Sequence, residues 1–252
     1  MMKEAIIKLI GWKTPILFQD PTVYDRFNWL KRHLKKGNLR TLDAGSGGGG
    51  FTVYASKIGN TAVGISFEEE ANKRATRRAK IWGTTNVKFI TQDLRGLDLV
   101  SDRIGKFDQI ICFETIEHIL NDKKLICDLS NILKPNGILL LTTPFKYYKK
   151  LYGETDELSK VEDGGHVRRG YTHTEMRDLF EKYGLQVVTE EYVSGLVSQK
   201  ITSLMRRLFK INGRLAWIIT APLRIFQIID VPLTKLINYP FYCIGVVGIK
   251  KK

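Results

Sequence analysis

The run Leu42-Asp43-Ala44-Gly45-Ser46-Gly47-Gly48-Gly49-Gly50-Phe51 limits what this chain can fold into more than any other stretch. A short strand-like segment, Arg40 to Ala44, leads into a glycine-rich turn, and a helical pattern, Phe51 to Ile58, follows it. Glycines at such a turn let the backbone reverse sharply and let a ligand approach the peptide plane. The first turn of the following helix offers N–H groups that the helix itself cannot satisfy. A strand, a glycine turn and a helix in this order define one half of a nucleotide-binding α/β unit.

The rest of the chain extends that unit. Asp20-Pro21 reads as an N-cap followed by proline at the first helical position, and Phe27, Leu30 and Leu34 repeat at helical spacing up to Gly37. Strand patterns at Thr61 to Ser66, Val87 to Thr91, Phe107 to Phe113 and Ile138 to Thr143 alternate with helical patterns at Glu68 to Trp82 and Asp122 to Leu133. Such alternation implies a doubly wound parallel sheet covered on both faces. Thr172 to Glu175 matches a capping box, so a helix is expected to run to Tyr183, with strands at Leu185 to Val193 and Phe241 to Ile249. The expectation is a single α/β domain over residues 1–252. Its core spans about 20–195 and 241–249, and a basic helical insertion spans about 196–240.

Gly45, Gly47 and Gly50 also satisfy G-x-G-x-x-G, which raises an NAD-dependent oxidoreductase as one reading. Two features oppose it. Asp43 stands two residues before the first glycine, where a carboxylate can pair with a cationic ligand. The second strand ends Gly64-Ile65-Ser66, without the acid that a dinucleotide ribose wants.

Leu42 to Phe51 resembles the first motif of the class I S-adenosylmethionine-dependent methyltransferases, and further motifs follow in that family's order. Gln92-Asp93 looks like the adenine-binding pair. Phe107 to Glu114 looks like the fourth-strand motif, and Leu133-Lys134-Pro135-Asn136-Gly137 like the turn before the fifth strand, with Asn136 where the family commonly has glycine. The resemblance covers roughly Leu39 to Val193 plus the last strand. It implies a Rossmann-like sheet and S-adenosylmethionine as cofactor, held by Asp43, Gly45, Ser46, Gly47, Ser66, Gln92, Asp93, Phe113 and Glu114. Ser66 departs from the family's ribose-binding acid, and Glu68 lies two positions on.

The stretch Glu114-Thr115-Ile116-Glu117-His118 follows the fourth strand, at the sheet edge where ligands bind in this architecture. Once the chain turns helical, Glu114, Glu117 and His118 stand at i, i+3 and i+4 and can converge. With His166 from the polar stretch Glu162-Asp163-Gly164-Gly165-His166 they compose a candidate divalent-metal site for magnesium, manganese, iron or zinc. The pattern is similar to that of the ubiquinone-pathway O-methyltransferases and of the enzymes that methylate the terminal ribose of small RNAs. Both carry Glu-x-x-Glu-His with a distal histidine and an ion that holds the acceptor hydroxyl. The competing reading keeps Glu117 and His118 as catalytic or pocket-lining groups without metal, His118 then being the general base. His173, inside the capping-box segment, and His33, on the first helix, are set aside as ligands.

Charge is uneven. The 252 residues carry a formal net charge of +14, and from Leu196 onward ten Lys or Arg face one acid, Asp230. A basic, apolar-rich segment fits a lid over the acceptor, an interfacial helix on anionic membrane, or an RNA surface. The lid is the first expectation. RNA comes last, because aromatics are not interleaved with the basic residues. The expected acceptor is accordingly a small molecule, a sugar or a lipid-linked hydroxyl, with an RNA methyltransferase or RNA-binding domain as the alternative.

Lys8 splits the apolar run Met1 to Trp12 and no small-residue cleavage site follows, so no signal peptide is expected. Leu215 to Leu233, the most apolar stretch, holds Pro222, Arg224, Asp230 and Pro232 and is expected not to span a bilayer. Cys112, Cys127 and Cys243 share no ligand spacing, which fits a reduced, cytoplasmic protein, peripheral at the membrane surface if the insertion is interfacial.

Overall fold

Seven strands form one sheet in the computed structural model, which describes residues 19–251; the Met1 to Trp12 run lies outside the described residues. They are β1 (Arg40–Ala44), β2 (Thr61–Ser66), β3 (Val87–Thr91), β4 (Phe107–Phe113), β5 (Leu133–Pro144), β6 (Leu185–Val193) and β7 (Cys243–Lys250). The order is β3-β2-β1-β4-β5-β7-β6. The first five strands run parallel, and β7 lies antiparallel between β5 and β6. Asn136, in the turn that opens β5, adopts φ 62°, the left-handed conformation that asparagine tolerates better than most residues.

Side-chain alternation feeds two cores, one on each face. Ile110 and Cys112 of β4, with Leu139 and Leu141 of β5, join one core. There they meet α4 (Asp122–Ile132) through Ile126 and Leu129, and α5 (His173–Lys182) through Met176 and Phe180. Ile111, Phe113, Ile138 and Leu140 face the other core, built with Trp29 and Leu30 of α1 (Pro21–His33) and Tyr54 of α2 (Gly50–Lys57). Helix α3 (Glu69–Ile81) turns Ala71, Ala75 and Ala79 inward. Burial on both faces is why these strands read as nearly unbroken apolar runs. The α5 capping box forms as expected, with Thr172 and Glu175 satisfying each other's backbone N–H. Asp20 stands at the α1 N-cap position without a side-chain cap, because its carboxylate accepts from Arg206 instead, at 2.9 and 3.0 Å.

The insertion comprises α6 (Leu196–Phe209), α7 (Gly213–Leu223), a 3-10 segment Arg224–Ile229, and α8 (Asp230–Leu236). Asp230, which looked like an interruption, is 3% exposed. Its carboxylate accepts from the backbone N–H of Gly195, Val197 and Ser198 at 2.9, 2.8 and 3.2 Å, capping α6 from a distant part of the chain. The stretch Gly213–Leu236 forms one helical run of 24 residues, 3-10 in its middle. By length and composition it is long and apolar enough to cross a membrane, although it carries Pro222, Arg224, Asp230 and Pro232.

Candidate active site

The strand order reverses between β1 and β4, and a crevice opens beyond their carboxyl ends. A cavity of about 320 Å³ occupies it, lined by Gly45 and Gly47, by Ser66, Glu68 and Asp93, and by Glu114, Thr115 and His118. Gly45 (φ 91°) passes so close to Thr115 that a Cβ there would lie 2.2 Å from the threonine Oγ1. A Cβ on Gly47 (φ 46°) meets nothing within 4 Å. The glycine loop therefore packs on the protein at one residue and presents open backbone at the other.

The cover over this crevice comes from the chain between β5 and α5, and no residue of 196–240 is among its lining residues. Glu162 and Gly164 line it. Glu162 accepts from Arg95 Nη1 at 2.8 Å and from the Leu120 N–H at 2.7 Å. Arg95 also pairs with Asp93, and its donated hydrogen bonds hold the Asp93 carboxyl below the usual carboxylate range. Val167 N–H donates to the Glu117 carbonyl at 2.9 Å, so the segment around His166 is clamped to the segment around Glu117.

Among the described residues, Glu117, His118 and His166 form a group whose potential ligand atoms lie within 4.8 Å of one another. Glu117 is fully buried. Its Oε2 accepts from the Thr143 hydroxyl at 3.3 Å, and its Oε1 has no hydrogen-bond partner. Burial, then the nearby charge of Glu114, raise its carboxyl well above the usual range. Burial, then the neighbouring His118, lower the His166 imidazole. A buried carboxylate with an orphaned oxygen beside two imidazoles suits a divalent cation.

Glu114 stands outside this group. It does not share a helix with its neighbours, since only Ile116–His118 form a 3-10 turn and Glu114 sits at φ 47°. Its carboxylate is held by Arg26 of α1 at 3.5 Å and by the Thr142 hydroxyl at 3.1 Å.

The two imidazoles lie 4.7 Å apart, centroid to centroid. His118 lines the first cavity, and His166 lines a second one of about 430 Å³, with Tyr148, Glu154, Asp156, Leu158 and Arg169. The three-residue group thus stands at the wall between two chambers.

A family model described as a methyltransferase domain matches residues 22–190. The chain belongs to this family. S-adenosylmethionine is the family's cofactor, and the match decides against the nicotinamide reading of the glycine loop. The domain is 28% identical over 119 residues to a ubiquinone biosynthesis O-methyltransferase of Leptothrix cholodnii, covering 47% of this chain and 50% of that one. It is 29% identical over 118 residues to the protein of the same name from Xanthomonas axonopodis pv. citri, covering 47% and 48%. The chain spans about half the length of the curated relatives it matches.

Solved structures agree in fold. A putative sarcosine dimethylglycine methyltransferase from Galdieria sulphuraria superposes with a TM-score of 0.62 at 16% identity, over 91% of this chain and 84% of that one. An N-methyltransferase from Bradyrhizobium japonicum in complex with S-adenosyl-L-homocysteine gives 0.58 at 16%, over 93% and 90%.

Within this methyltransferase domain the expected cofactor residues divide into two sets. Gly45, Gly47, Ser66, Asp93 and Glu114 line the first cavity. Asp43, Ser46, Gln92 and Phe113 are not among its lining residues. Asp43 is 2% exposed and accepts from the Thr52 hydroxyl at 2.6 Å; burial pushes its carboxyl up to about 6. Its hydrogen bond to Thr52 ties the end of β1 to the start of α2. Ser46 turns its hydroxyl towards Gly64 of β2, Gln92 bridges the carbonyls of Asp93 and Gly96, and Phe113 meets Phe51 edge to face and Trp29 at a tilt. His173 bonds the Glu191 carbonyl and His33 pairs with Glu191, both away from the site.

Sequence reasoning missed Thr115, Arg95 and Glu162. Thr115 sat inside the quoted Glu-His stretch, but its close approach to Gly45 shows only in the fold. Nothing in the sequence marked the pairing of Arg95 with a loop 67 residues away.

Proposed function

We propose that the protein transfers a methyl group from S-adenosylmethionine to a hydroxyl oxygen of a small, sugar or lipid-linked acceptor. In this reading the cofactor occupies the crevice of Gly45, Gly47, Ser66 and Asp93, and the acceptor enters the second chamber. The observation that carries it is the Glu117–His118–His166 group at the wall between them.

When bound, the cofactor supplies a methyl carbon already activated on a sulfonium sulfur. The chain's task is to orient the acceptor in line with the C–S bond and to take its proton as the new O–C bond forms. His118 is suited to the proton. Its Nδ1 faces the Gly165 carbonyl, which leaves Nε2 as the free acceptor. Glu117, His118 and His166 are the residues that would hold a divalent ion, which would lower the pKa of a coordinated hydroxyl and fix its direction. Neither Cys112 nor Cys243 competes for a covalent role, since burial pushes both thiols up and away from the reactive thiolate.

Three free cysteines support a reducing, cytoplasmic setting for this reaction. The test is a screen of hydroxylated acceptors with labelled S-adenosylmethionine, run with and without chelator. Methyl incorporation into an oxygen acceptor supports the reading, and incorporation only into amines or carbon acceptors overturns it.

A further inference from the structure

The helical run Gly213–Leu236 presents two unlike faces. Ala216, Thr220, Asp230 and Thr234 are buried, a spacing of whole helical turns that docks the rod on the rest of the insertion. Pointing away from them are Ile218, Ile225, Phe226, Ile228 and Leu236, each more than half exposed, and Ile211 extends the same exposed surface before the rod begins. Most of the large apolar side chains exposed among the described residues fall between 204 and 237. So long an apolar strip is unusual for a surface that faces only water.

Charge indicates what covers it. Arg207, Lys210, Arg214 and Lys235 are exposed in the same segment, whereas its one acid, Asp230, is buried under the α6 N-terminus. Exposed apolar side chains accompanied only by cations fit lipid tails below and anionic head groups around them. The same face of a second copy would set these cations against their own kind. A transbilayer path is disfavoured by the docked face, since Asp230 and Thr234 already serve the fold from inside this run.

We infer that residues 209–237 dock this protein, lying flat, on an anionic phospholipid bilayer. The inference stands on surface chemistry and holds whichever acceptor is methylated. It also bears on the second chamber. The loop that walls it is fastened to α6, through the Tyr152 N–H on Ser203 Oγ at 3.2 Å and Arg206 on Glu154 at 2.9 Å. The membrane-facing rod and the chamber wall are therefore joined through α6.

Sedimentation of the full chain with vesicles tests it, using phosphatidylcholine alone or with about one third phosphatidylglycerol. The protein should pellet with the anionic vesicles and stay in solution with the neutral ones. Pelleting should drop about tenfold in I218E/I225E/I228E and in R207E/K210E. Binding of S-adenosylmethionine, followed by calorimetry, should be unchanged in both variants and shows that they fold. Equal pelleting with neutral vesicles, or none with anionic ones, overturns the inference. So does concentration-dependent dimerisation that I218E/I225E/I228E abolishes, which would assign the face to a second copy. Vesicle binding that appears only when residues 1–18 are deleted would assign it to that segment and overturn it equally.

Discussion

His118 Nδ1 lies 3.0 Å from the carbonyl oxygen of Gly165, the residue before His166. A carbonyl only accepts, so this contact places the proton of the neutral imidazole on Nδ1 and leaves Nε2 able to take a proton or bind an ion. One hydrogen bond thus fixes both the tautomer of the first histidine and the position of the second.

Two substitutions separate these roles. His118→Asn keeps a donor near the Nδ1 position, whereas His118→Gln places its amide near Nε2. Both should lower turnover by about 10²–10⁴. Only His118→Gln should also loosen the loop around His166, seen as faster hydrogen exchange at Val167. Full turnover in either variant would remove His118 from the chemistry.

Glu117 gives a test that needs no acceptor. A buried carboxylate with an unpartnered oxygen destabilises the fold unless a proton or a cation joins it. Glu117→Gln should therefore raise the stability of the ligand-free protein, by about 1–3 kcal/mol in urea melts. Manganese should raise the melting temperature of the parent protein and leave that of Glu117→Gln unchanged. An equal response of the two proteins to manganese would remove Glu117 from the ligands of the ion.

The glycine loop predicts opposite failures at neighbouring positions. Gly45→Ala forces a Cβ onto Thr115 and should cost several kcal/mol of stability, about 3. Gly47→Val adds only local backbone strain of about 1–3 kcal/mol, yet fills open space at the cavity, so the folded variant should lose S-adenosylmethionine binding. Calorimetry that shows parental affinity in Gly47→Val would move the cofactor elsewhere.

Asp43 should leave a signature in the pH dependence of stability. Its carboxyl titrates at about 6 in the fold against an ordinary 3.8. Between those values the folded chain keeps a proton that the unfolded chain has released, so this contribution falls as pH rises. The fall amounts to about 3 kcal/mol from about pH 4 to about pH 6 and is complete above it. Asp25, also raised to about 6, acts with the same sign in the same window. Asp43→Asn should abolish its share of the slope, read as a smaller stability difference between about pH 5 and about pH 7 in urea melts. An unchanged difference would mean that Asp43 is ionised without cost.

Much of the fold was legible because strands buried on both faces carry little but apolar residues, and glycines or a capping box mark where they end. Ser66, Asp93 and the glycine loop were legible for a related reason: they close strands, and strand ends define the crevice. Glu114 was misplaced because helical spacing was assumed where the backbone turns left-handed, a strain that spacing does not encode. Its pairing with Arg26 joins residues 88 positions apart and depends on how α1 lies on the sheet. Asp230 was misread for a like reason. A charge in an apolar stretch reads as an interruption until the distant backbone that it caps is known.

The place of β7 between β5 and β6 dictates an order of assembly. Among the described residues strand β6 pairs only with β7, so none of those strands can flank it until residues 243–250 leave the ribosome. By then the insertion has been made, and its exposed apolar strip has been complete for about a dozen residues of synthesis, on the order of a second at usual rates. The sheet is sealed last, by a strand that must thread antiparallel between two earlier ones, and the half-built edge of β5 is the point at which a nascent chain is most open to mispairing.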